Sequence, residues 1–179
     1  MAATPPIEGS GIEDSGLDGI TFRRPTEDDY TPIVRVVDDW WGNRNLAQLL
    51  PRLWLQHFTG TSWVAEDERG RLAGFLVGFL SPDHPDTAYC HMVATNPNLR
   101  RRGLGAALYE HFFEDARAAG RTWVKAITWP GNRISLGFHR AIGSFAGHHV
   151  SPEGKVMNEA DYGMLVTGVF NKQPWAERA

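Results

Sequence analysis

The sequence predicts an α/β fold of the α+β kind, a mixed sheet covered by helices within one domain. Three observations point that way. Short apolar runs alternate with stretches of helical period. Clusters of Gly, Pro, Asp and Asn separate them. Strand and helix segments then alternate through the second half, as a sheet with helical cover requires. With 179 residues, 42% of them hydrophobic and 11% aromatic, the chain has the size and apolar content of one domain with a sizeable core.

Met1 to about Asp18 is rich in Gly, Pro, Ser and acidic residues without apolar periodicity, which reads as a disordered leader ahead of a domain over 19–172 and a tail over 173–179. Ile20 to Arg24 reads as a strand. Thr26 and the acids Glu27, Asp28 and Asp29 then cap a helix that reaches about Val37. Asp38-Asp39-Trp40-Trp41-Gly42-Asn43 breaks the pattern, and a second helix is expected from about Leu46 to Phe58. Ser62 to Ala65 and Leu72 to Leu80 form a hairpin around the turn Asp67–Arg71.

After the loop Pro82–Asp86, Ala88 to Thr95 is a strand, and a Pro-containing connector leads to a helix from Gly103. Leu104, Leu108, Phe112 and Ala116 recur there at helical spacing, and Gly120 stops it. Thr122 to Thr128 is a strand, Pro130-Gly131 a break, and Arg133 to Ile142 a short helix ending at Gly143. Strands at Phe145 to Val150 and Met164 to Phe170 flank the polar loop Ser151–Gly163. The order is β-α-α-β-β-β-α-β-α-β-β, without an internal repeat.

A net charge of −3 and a pI near 6.1 argue against a nucleic-acid surface, which needs a concentrated basic face. The single cysteine, Cys90, fits a reducing compartment. Met1 to Gly19 has no apolar signal region, and no apolar run approaches the ~20 residues that span a bilayer. The expectation is a soluble, cytoplasmic protein with no nucleic-acid or membrane partner.

The segment Asn96-Pro-Asn-Leu-Arg-Arg-Arg-Gly-Leu-Gly-Ala106 lies between a strand and a helix. Gly103 and Gly105 remove Cβ atoms where the chain enters the helix, so a bulky anion can approach amides that have no intrahelical partner. The helix dipole and Arg100, Arg101 and Arg102 add positive charge. Such a terminus suits a diphosphate. A P-loop is excluded by the absent Gly-Lys-Ser/Thr ending. A dinucleotide fingerprint is excluded because Leu108 stands where its third glycine belongs.

What remains, Arg100-x-x-Gly103-x-Gly105-Ala106, resembles the phosphate-binding motif of the GNAT superfamily of N-acetyltransferases, over about Ile20 to Phe170. The resemblance implies a mixed, mostly antiparallel sheet of about six or seven strands with about four flanking helices. It also implies acetyl-CoA as acetyl donor, no metal, and a homodimer as a common assembly. Main-chain groups of Val93, Ala94 and Thr95 would meet the pantetheine arm. The amides of Arg101, Arg102, Gly103, Leu104, Gly105 and Ala106 would hold the pyrophosphate.

A second motif, Asn132-x-x-Ser135-x-x-Phe138-His139-x-x-x-Gly143-x-Phe145, follows the Pro-Gly break. Asn132, Ser135 and His139 share one helix face. The spacing resembles the GNAT segment in which an Asn meets pantetheine and a residue seven positions on faces the thioester sulfur. That residue is tyrosine in many members and His139 here. His139 is either the general acid or a hydrogen-bonding wall of the pocket.

Acetyl transfer needs a deprotonated amine, since an alkylamine with a pKa near ~10 is mostly protonated at neutral pH. An N–H near Val93 and Ala94 is the family-like oxyanion donor. His91, two residues before Val93 and expected on the same face, resembles the histidine of the proton-removal route in arylalkylamine acetyltransferases; packing against helices is the other reading. Glu66, Asp86 and a water chain are alternatives. Cys90 reads as a buried small hydrophobe, on the opposite face from His91. Asp83, His84, Asp86 and His91 match no metal-ligand spacing.

In GNAT-like folds the first two helices and their loop cover the acceptor site. Asp38, Trp40 and Trp41 would therefore receive a cationic amine through charge and cation–π attraction, or else end a helix and plug the core, as Trp129 and Trp175 also read. Gly147-His148-His149 and the Ser151–Gly163 loop would form the far wall. The acceptor is expected to be a small-molecule or amino-acid-like primary amine. The competing reading is a non-catalytic acyl-CoA-binding regulator.

Overall fold

The computed structural model describes residues 17–128 and 132–142 with side chains, and strands 146–147, 149–150, 156–157 and 165–170 as backbone. A seven-stranded sheet runs in the order β1-β2-β3-β4-β5-β9-β6, with β7 and β8 forming a separate pair. The strands are β1 Thr21–Arg23, β2 Trp63–Glu66, β3 Leu72–Leu80, β4 Thr87–Thr95, β5 Trp123–Thr128, β6 Ala146–Gly147, β7 His149–Val150, β8 Val156–Met157 and β9 Leu165–Phe170. Only β4 and β5 pair in parallel among these strands. The parallel pair arises because α3 carries the chain across the sheet between them.

The helices are α1 Tyr30–Trp40, α2 Trp54–His57, α3 Leu104–Ala118 and α4 Arg133–Ala141. Two apolar layers cover the sheet. Leu104, Leu108, Tyr109, Phe112 and Ala116 of α3 pack on Ala65, Leu76, Ala88, Cys90 and Val124. Ile33, Val37 and Trp40 of α1, with Leu50 and Leu55, pack on Val64, Phe75, Val77 and Met92. β3 is therefore covered on both faces, which explains its nearly unbroken apolar sequence.

The helix expected over Leu46–Phe58 is a correction. A 3-10 turn at Ala47–Leu49 and the four-residue α2 replace it. Pro51 cannot donate to a helical ladder, and the Asp38 carboxylate accepts from the amides of Leu46 and Ala47 at 2.7 and 2.8 Å. The strand expected over Phe145–Val150 is divided between two sheets as β6 and β7. Residues 1–16 of the expected leader, the tail 173–179, Trp129, Phe145 and most of the Ser151–Gly163 loop lie outside the described residues.

Candidate active site

Two irregularities in the sheet make the site. β4 pairs with β5 from Thr87↔Trp123 to Cys90↔Ala126, whereas its pairing with β3 continues to Thr95↔Gly74. Beyond Cys90 the described pairing leaves β4 with one edge open toward β5. The second irregularity is a bulge. Val77 faces Met92 and Gly78 faces Cys90, so His91 is an inserted residue.

The bulge reverses the strand's alternation. Ala88, Cys90 and Val93 lie on the α3 side, and Met92 and Ala94 on the α1 side. His91 stacks on Trp54 of α2 at 4.2 Å and 11°, and its Nε2 is 2.8 Å from the Leu49 carbonyl oxygen. The expected common face for His91 and Val93 is thereby corrected: they point to opposite sides. Cys90 lies against α3, with its thiol pushed up to about 12 by burial.

Against the open edge stands the beginning of α3. Gly103 is its cap residue at φ +87°, in the left-handed region, and no side chain caps the helix. The ladder starts with Ala107 N donating to Gly103 O at 3.0 Å, so the amides of Leu104, Gly105 and Ala106 precede it. Arg101 is also left-handed, at φ +65°. A Cβ at Gly103 meets nothing within 4 Å, while one at Gly105 lies 3.0 Å from the Phe138 ring. The turn therefore opens toward the cavity at one glycine and packs against α4 at the other.

A cavity of about 780 Å³ joins these parts. Its border includes Val93, Ala94 and Thr95 of β4, Arg100, Arg101, Gly103, Leu104, Gly105 and Ala106 at the mouth of α3, and Asn132, Ser135, Phe138 and His139 of α4. Trp40 and Trp41 close one side. Arg44, Leu99, Ile134 and Ile142 also border it and were missed in the sequence. Arg44 carried no signal there, because it stands in a loop outside both motifs. Arginines and no acidic residue border the cavity among the described residues, an arrangement that favours an anionic ligand.

Several expected residues fall elsewhere. Arg102 and His91 do not border the cavity. Nor does Asp38, whose carboxylate Oδ1 closes the loop after α1 by accepting from the amides of Leu46 and Ala47. Trp40 is 8% exposed and stacked on Phe75, so it is core and cavity wall together. Glu66 is taken by Arg23 at 2.5 Å. Asp86 is exposed at the opposite end of β4, bonded to the Thr87 hydroxyl at 2.9 Å. Among the described residues no group of three His, Cys, Asp or Glu could hold a metal ion, and no helix is long and apolar enough to cross a membrane.

The α4 face is a hydrogen-bonded series. Asn132 caps α4 by accepting from Ser135 N at 3.2 Å. Thr128 Oγ1 donates to Ser135 Oγ at 3.0 Å. His139, 5% exposed, has Nδ1 2.7 Å from the Ser135 carbonyl oxygen and Nε2 2.9 Å from the Tyr109 hydroxyl. Burial holds His139 below the ordinary histidine value, against the opposing pull of its bond to Ser135. Tyr109 went unseen in the sequence. A tyrosine inside an apolar helix stripe was the available signal, since a buried phenol needs a partner.

A model described as the acetyltransferase (GNAT) family matches residues 26–143. The L-2,4-diaminobutyric acid acetyltransferase of Nocardia farcinica is 30% identical over 137 residues, 76% of this chain and 70% of that protein. Its counterpart in Streptomyces coelicolor is 37% identical over 95 residues, 52% of this chain and 54% of that protein. The structure of diaminobutyrate acetyltransferase EctA from Paenibacillus lautus, in complex with L-2,4-diaminobutyric acid and coenzyme A, superposes with a TM-score of 0.61. It is 24% identical and is covered over 94% of its length, against 83% of this chain, which is a likeness of fold.

Proposed function

The chain belongs to the acetyltransferase (GNAT) family, and on that premise we propose that it moves the acetyl group of acetyl-CoA to a primary amine of a small amino-acid-like acceptor. L-2,4-diaminobutyric acid, on which the similar proteins act, is the first acceptor to test. The observation that carries the proposal is one cavity running from the uncapped, glycine-lined mouth of α3 to the open edge of β4. A diphosphate fits the first part by charge and by free amides. An extended amide-containing arm fits the second by strand-like pairing.

In this reading the transfer is direct, within a ternary complex. The deprotonated amine attacks the acetyl carbonyl, an N–H of the Val93–Ala94 segment supports the negative oxygen, and the thiolate departs toward the α4 face. His91, which does not border the cavity, is the proposed final proton acceptor, reached from the amine through a water chain. The Leu49 carbonyl accepts from Nε2–H, which leaves the lone pair on Nδ1. Trp40 and Trp41 wall the cavity between the two substrates.

Incubation with acetyl-CoA and L-2,4-diaminobutyric acid, with free-thiol detection and product mass, tests the function. Equimolar thiol release and a product heavier by one acetyl group are expected. Thermal stabilisation by acetyl-CoA without thiol release across a broad amine panel would replace the proposal with an acyl-CoA-binding regulator.

A further inference from the structure

The α4 series fixes the direction of each hydrogen bond. A carbonyl oxygen only accepts, so the 2.7 Å contact between His139 Nδ1 and the Ser135 carbonyl places a proton on Nδ1. In the neutral ring Nε2 then carries the lone pair, and the Tyr109 hydroxyl, 2.9 Å away, donates to it. Tyr109 and His139 thus form a one-way series that ends on the Ser135 carbonyl.

Among the described residues the Ser135 hydroxyl shows no acceptor for its own proton. Its oxygen accepts from Thr128 Oγ1. It lies 3.2 Å from His139 Nδ1, which has no lone pair to offer it. Ser135 borders the cavity and is only partly buried, so the remaining direction for its O–H is into the cavity.

We propose that Ser135 Oγ–H is the donor that the α4 face presents to the acyl-thioester end of the site, and that Tyr109 and Thr128 are the positioning residues that keep it so. The inference rests on the acetyltransferase reading above. His139 serves as a neutral link, with Tyr109 filling its second nitrogen. The hydroxyl keeps its proton throughout and supports negative charge that gathers as the amine attacks, so no bond to Ser135 forms or breaks.

Two measurements test it. In the ligand-free protein with 15N-labelled histidine, the His139 ring is expected in the neutral Nδ1–H form, assigned by loss of its signals in His139→Gln. In Tyr109→Phe the Nε2 signal is expected to move toward that of an unbonded lone pair. An Nε2–H form in the wild type, or an Nε2 signal that Tyr109→Phe leaves in place, overturns the proposal. With acetyl-CoA and L-2,4-diaminobutyric acid, Ser135→Ala is expected to lower kcat by about 100-fold, with little change in the affinity for acetyl-CoA by calorimetry. Ser135→Thr should restore most of the rate. An unchanged kcat in Ser135→Ala also overturns it. Absence of thiol release from the wild type counts against the acetyltransferase reading instead, and the spectrum still decides the order of the hydrogen bonds.

Discussion

Arg100 Nη2 donates to the Trp40 carbonyl oxygen at 2.5 Å, so the basic loop ahead of α3 is fastened to the C-terminal end of α1. The bond joins two parts of the cavity wall that lie 60 residues apart in sequence. It also brings a guanidinium to the negative end of a helix dipole.

Arg100→Met should raise the dissociation constant for acetyl-CoA by about tenfold while the fold persists, because one charge-assisted contact and one tether are lost together. Calorimetry checks this, and an unchanged affinity would detach Arg100 from the cradle.

Gly103 and Gly78 are expected to fail for different reasons. At Gly103 the left-handed φ of +87° strains any side chain, though the space is open. Gly103→Ala should therefore cost about 1–2 kcal/mol of stability, and Gly103→Glu should abolish coenzyme binding by placing a carboxylate in the cradle. Both are read by thermal melting with and without acetyl-CoA.

At Gly78 the obstacle is contact. A Cβ there lies 2.7 Å from the Phe112 ring and 2.9 Å from the Tyr89 carbonyl oxygen, opposite Cys90 at the bulge. Gly78→Ala should cost about 1–3 kcal/mol, measured by urea unfolding. Wild-type stability would mean that α3 can move away from β3 without loss.

Burial holds both His111 and His139 below the ordinary histidine value, and the carboxylates of Glu114 and Asp115 only partly offset it at His111. The unfolded chain therefore binds more protons than the folded one just below ~6.5. Stability is full above that pH and declines as pH falls through the folded-state values. His111 stacks on Trp63 at 4.5 Å and tilts against Phe22 at 4.7 Å. His111→Phe should keep the ring contacts and flatten part of the decline between pH 7.5 and 5.5. Superimposable pH profiles for the two proteins would contradict this.

Much of the architecture was legible because local chemistry and tertiary demand agree. β3 came from its apolar run to the residue, Leu72–Leu80, and α3 from the spacing of Leu104, Leu108, Phe112 and Ala116 closed by Gly120. The two motifs, Arg100–Ala106 and Asn132–His139, border one cavity. The losses have physical causes. Cys90-His91-Met92 contains no Gly or Pro to announce a bulge, so the reversal that separates His91 from Val93 was invisible. Asp38 read as a free acid, although its carboxylate finds backbone amides eight and nine residues on. Tyr109 escaped notice beside the apolar stripe because its partner, His139, comes from another element 30 residues away.

The most direct test is a crystal structure with coenzyme A bound. The account requires diphosphate oxygens within hydrogen-bonding distance of the amides between Arg101 and Ala106, with the pantetheine arm along the Val93–Thr95 edge. A diphosphate held elsewhere, with the turn at Gly103 packed against protein atoms, would contradict it.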